Sequence, residues 1–94
     1  MEEQTKGTIL VIDDSSAIVL LISTILREEK YNVISAFTGE EGVVKATEYK
    51  PDLIILDVMM PGMDGFETCV RLKADRVTKD IPVIIVTAVN DTPS

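Results

Sequence analysis

Leu53-Ile54-Ile55-Leu56 reads as a short buried strand entered from Pro51-Asp52. It ends on Asp57, ahead of a loop punctuated by Pro61, Gly62 and Gly65. A carboxylate at the carboxyl end of such a strand lies where open α/β sheets place their ligands. Taken alone, Asp57 also fits an ordinary loop acid. The rest of the chain supplies the context that separates the two readings.

Thr8-Ile9-Leu10-Val11-Ile12 is a second continuous apolar run, rich in β-branched residues, and it ends on Asp13-Asp14. Continuous apolar runs mark strands covered on both faces, the condition of a parallel sheet. Ser15 and Ser16 supply helix-start chemistry, so a helix is expected over 15–29, burying Ile18, Leu21, Ile22, Ile25 and Leu26. Val19 and Leu20 lie partly off that stripe, which implies either a wide buried face or a docked partner helix. Tyr31 to Ala36 alternates as an edge strand would. Thr38 and Glu41 form a capping box for a helix over 39–49, expected to bury Val43, Val44 and Ala46 or Thr47. Asp64 is placed to cap a third helix with an apolar side of Phe66, Cys69, Val70 and Leu72. Ile81 to Val86 is a fourth buried strand, with Pro82 tolerated at its start.

The resulting β-α-β-α-β-α-β order, with crossovers long enough for parallel pairing, predicts a doubly wound parallel α/β sheet. No internal repeat or linker interrupts it, so residues 1–94 are expected to be one domain. The net charge of −7 disfavours nucleic acid and anionic membrane as direct partners. The opening residues lack an apolar signal core, no run of about 18 apolar residues is present, and Cys69 is the lone cysteine. A cytoplasmic setting is the expectation.

Parallel strands bring their carboxyl ends to one rim, so Asp13, Asp14, Asp57 and Thr87 should converge. At about 5 Å and an effective dielectric near 20, two carboxylates repel by roughly 3 kcal/mol, which a cation would relieve. Oxygen ligands without imidazole or thiolate favour Mg²⁺. The chain has no His, which excludes His-dependent catalysis.

Ile12-Asp13-Asp14, the stretch from Leu56 to Gly65 and Val86-Thr87-Ala88 together resemble the receiver domain of two-component response regulators. The resemblance implies a flavodoxin-like fold with strand order 2-1-3-4, lacking the fifth strand and fifth helix of that family. It implies that Asp57 accepts a phosphoryl group from a histidine kinase or phosphotransfer protein. Asp14, Asp57 and the Met59 backbone carbonyl would hold Mg²⁺, Asp13 would act mainly through bound water, and Thr87 would hydrogen-bond the phosphoryl group. Such a chain is a regulatory module, not a turnover enzyme. A phosphohydrolase with an Asp-x-Asp motif is disfavoured, because Asp57-Val58-Met59 lacks the second Asp. The alternative is an unphosphorylated interaction module or receiver fragment that self-associates, through the apolar fourth strand as an open edge or through an uncovered sheet face.

Overall fold

The computed structural model describes residues 6–58 and 65–86. The elements run β1 (Thr8–Ile12), α1 (Ser16–Glu28), β2 (Asn32–Ala36), α2 (Gly39–Tyr49), β3 (Leu53–Asp57), α3 (Gly65–Ala74) and β4 (Val83–Val86). All strand pairs are parallel, in the order β2-β1-β3-β4. This is the doubly wound sheet expected, with its fourth strand starting two residues later than the apolar run suggested.

Strand alternation divides the core in two. Leu10, Ile12, Ile54 and Leu56 point to one face and pack with Ala46 of α2 and Leu72 of α3. Ile9, Val11 and Val33 point to the other and pack with Val19 of α1. Each large aliphatic side chain fully buried in this way contributes roughly 1.5–3 kcal/mol.

The helices bury the expected stripes only in part: Ile22 and Leu26, Val43 and Ala46, and Cys69 and Leu72 face inward as expected. Helix α1 turns Val19, Ile22, Ser23 and Leu26 inward, leaving Ile18, Leu21 and Ile25 at 39%, 57% and 53% exposure. Helix α2 buries Gly39, Gly42 and Ala46, with Val43 half-buried, and exposes Val44. Helix α3 buries Gly65, Thr68 and Leu72, with Cys69 half-buried, and exposes Phe66 and Val70. In each case the sheet is met by residues at i, i+3, i+4 and i+7 that include small side chains, which let the helix backbone approach closely.

The caps form largely as the sequence suggests. Ser15 Oγ accepts from Ile18 N–H at 3.3 Å, and Thr38 Oγ1 accepts from Glu41 N–H at 3.0 Å. The return bond of the α2 cap reaches one residue further than a standard capping box, with Phe37 N–H donating to Glu41 Oε1 at 2.9 Å. That bond, with Lys45 beside it, holds the Glu41 carboxyl below its usual range. The Asp64 cap lies outside the described residues. None of the described helices is long and apolar enough to cross a membrane.

Candidate phospho-acceptor and metal site

Strand register builds the site. Ile12 pairs with Leu56, so the residues that follow them, Asp13 and Asp57, leave neighbouring strands at one level. Asp57 in turn pairs with Val86, the last described residue before Thr87. Asp13 N–H donates to Ala36 C=O at 3.1 Å, continuing the ladder one step past the strand end. The backbone thus delivers acidic side chains to the carboxyl rim without help from a flexible loop.

Asp13, Asp14 and Asp57 each offer a carboxylate oxygen, and the three atoms lie within 4.8 Å of one another. Asp13 and Asp57 are buried, at 7% and 6% exposure, whereas Asp14 is exposed. Burial pushes the Asp13 carboxyl above its usual range. Ser15 N–H, donating to Asp13 Oδ1 at 2.9 Å, pulls the other way, while the charges of Asp57 and Asp14 and a side-chain hydrogen bond with Asp57 add to the rise. Carboxylates this close repel one another, and a cation between them would relieve that repulsion.

A Mg²⁺ ion with bonds of about 2.0–2.1 Å spans about 4 Å between opposite ligands. Oxygens spread over 4.8 Å suit two direct bonds and a third made through water. The exposure of Asp14 leaves a side open to solvent, where a small ion enters with part of its water. Donor chemistry and spacing fit the ion.

The sequence matches the response regulator receiver domain family over residues 9–94. The chain belongs to the response regulator receiver family. The receiver is 48% identical over 85 residues to the response regulator PleD of Caulobacter vibrioides, covering 90% of this chain and 19% of that protein. It is 48% identical over 80 residues to the transcriptional regulator RpaA of Synechocystis, covering 85% of this chain and 33% of that one. It thus spans about a fifth to a third of these relatives.

Among solved structures, the N-terminal domain of a response regulator receiver protein from Methanoculleus marisnigri superimposes with a TM-score of 0.88 at 47% identity, over 95% of this chain and 72% of that one. A chain of the CheX–CheY–BeF₃–Mg²⁺ complex from Borrelia burgdorferi matches with a TM-score of 0.83 at 30% identity, over 93% of this chain and 66% of that one. Four strands and three helices in the order 2-1-3-4 are the part of the receiver fold that the described residues span.

The receiver's structure brings Asp13, Asp14 and Asp57 together as expected. Thr87 and Met59 lie outside the described residues. Ser15, read from sequence only as helix-start chemistry, also orients Asp13 through its backbone N–H. The Asp-x-Ser spacing was a legible sign of that turn, since Asp side chains commonly accept from the amide two residues on.

Proposed function

We propose that this receiver takes a phosphoryl group from a histidine kinase or phosphotransfer protein onto Asp57 and thereby changes its interactions with partners. The observation that carries the proposal is the convergence of Asp13, Asp14 and Asp57 within 4.8 Å at the carboxyl ends of β1 and β3. In this reading Asp14, Asp57 and the Met59 carbonyl hold Mg²⁺ directly, and Asp13 acts through water. When bound, Mg²⁺ supplies the positive charge that offsets both the carboxylates and the incoming phosphoryl oxygens.

The chain's own residues do the rest. An Asp57 carboxylate oxygen forms the new bond to phosphorus while the bond from phosphorus to the donor breaks, and the leaving group departs with the bonding electrons. Burial of Asp57 limits the positions its side chain can take, so the attacking oxygen is pre-oriented. Thr87, which follows Asp57's register partner Val86, accepts the role of hydrogen-bonding the phosphoryl group. The setting proposed is cytoplasmic. The BeF₃ and Mg²⁺ named in the Borrelia complex accord with this chemistry.

Incubation with Mg²⁺ and acetyl phosphate, followed by intact-mass measurement, tests the proposal. A phosphate adduct is expected in the wild-type chain and none in Asp57→Asn. An adduct that persists in the variant would refute the assignment of Asp57.

A second reading has its own observation. Among the described residues β4 lies at an edge of the sheet, with Ile84, Ile85 and Val86 at 51%, 42% and 36% exposure, and no charged residue or proline interrupts it. We propose self-association through this strand or the adjoining sheet face as the alternative mode of action. A mass that grows with concentration in light scattering, without any phosphate adduct, would favour it.

A further inference from the structure

We infer that Gly65 is a positioning residue for the carboxylate site: its missing side chain lets α3 seat directly on the peptide that carries Asp57. The inference rests on the reading of Asp13, Asp14 and Asp57 as a Mg²⁺ site.

The first residue of α3 is buried against the end of β3, with Gly65 N–H donating to Val58 C=O at 3.4 Å. A Cβ placed on Gly65 would overlap Val58 Cα and lie 2.5 Å from the Asp57 carbonyl oxygen and 2.9 Å from Val58 Cγ1. Two of these three atoms are main chain, so no rotamer change relieves the overlap. Any side chain has to part helix from strand by about 1 Å, and a displacement of that size at a reacting group costs up to about a hundredfold. Asp57 is one of the two buried members of the cluster, and its carbonyl oxygen is among the atoms that the added methyl group would strike.

Gly42 provides the contrast. It lies in the buried stripe of α2, and a Cβ there would meet only Ile12 side-chain atoms, ending in the flexible Cδ1. The same Gly→Ala change brings the same gain in helix propensity at both positions, so the two variants differ in what the methyl group strikes.

Isothermal titration of Mg²⁺ into the wild-type chain, Gly65→Ala and Gly42→Ala separates the cases. Gly65→Ala is expected to bind Mg²⁺ at least about tenfold more weakly, the cost typical of residues that orient metal ligands, while Gly42→Ala matches the wild type. Equal affinity in Gly65→Ala and wild type, or equal losses in both variants, would overturn the inference. No binding by the wild type would instead overturn the reading of the site, and this inference with it. If Gly65→Ala does not fold, the wild type decides by NMR. The Gly65 and Val58 amide resonances are expected to shift together at one Mg²⁺ half-point, and a Gly65 amide that does not respond would overturn the inference.

Discussion

The two rims of the sheet treat polar groups in opposite ways. At the amino rim, Asp52 Oδ2 accepts from Thr8 N–H at 2.8 Å, and Lys73 Nζ donates to the carbonyls of Lys79 and Ile81 at 3.2 and 2.7 Å. Thr78, fully buried, donates to Leu72 C=O at 2.6 Å. In these bonds donors meet acceptors. At the carboxyl rim three acids face one another within 4.8 Å. The contrast marks the carboxyl rim as the candidate functional site.

Substitutions at the two rims should therefore separate stability from metal binding. The largest expected effect is that of Asp14→Asn, which removes an exposed carboxylate and with it one of the proposed direct ligands. Urea unfolding with and without Mg²⁺ should show most of the metal-dependent stabilisation lost, up to about 2.7 kcal/mol at a Mg²⁺ concentration a hundred times the wild-type Kd. Thr78→Val should do the reverse. It leaves the buried Leu72 carbonyl without its donor and costs about 1–3 kcal/mol in urea unfolding, with Mg²⁺ affinity by calorimetry unchanged.

Asp13 sharpens the contrast through pH. Its raised carboxyl pKa means that the metal-free folded state binds protons more tightly than the unfolded chain. The stability this contributes is full below the ordinary carboxylate pKa near 4 and is lost as pH rises through the raised value. Asp13→Asn removes that loss. The metal-free variant should be more stable than wild type at pH 7, and the gain should shrink as the pH falls toward about 4. A gain that is independent of pH would show that charge is not its source. The smallest effect belongs to Thr38→Ala, on neither rim's chemistry. Loss of the α2 cap should cost about 1 kcal/mol in urea unfolding without altering Mg²⁺ binding.

The order of elements, the parallel sheet and the meeting of Asp13, Asp14 and Asp57 were legible in sequence, because apolar runs ending on acids leave few alternatives. The buried faces of the helices were less so. Helix α1 is apolar nearly all round, and selecting its largest side chains gave Ile18, Leu21, Ile22, Ile25 and Leu26, of which Ile22 and Leu26 face inward, joined by Val19 and Ser23. In α3, expected to use Phe66, Cys69, Val70 and Leu72, Leu72 is buried and Cys69 half-buried as expected, while Gly65 and Thr68 take the places of Phe66 and Val70. Side-chain volume proved a poor guide where the sheet requires close backbone approach. Ser23 shows this most plainly: its buried hydroxyl has no hydrogen-bond partner, a feature that no polarity pattern would place in a core. The turn that joins Ser15 N–H to Asp13 had a local sign in the Asp-x-Ser spacing, whereas the fit of Gly65 against Val58 depends on three-dimensional contact.

The most direct test of the carboxyl rim as a cation seat is equilibrium urea unfolding of the wild-type 94-residue chain at pH 7, in EDTA and in saturating Mg²⁺. The expected result is a midpoint raised by Mg²⁺, with a stabilisation that grows logarithmically with metal concentration above the Kd. Identical midpoints in EDTA and Mg²⁺ would contradict it.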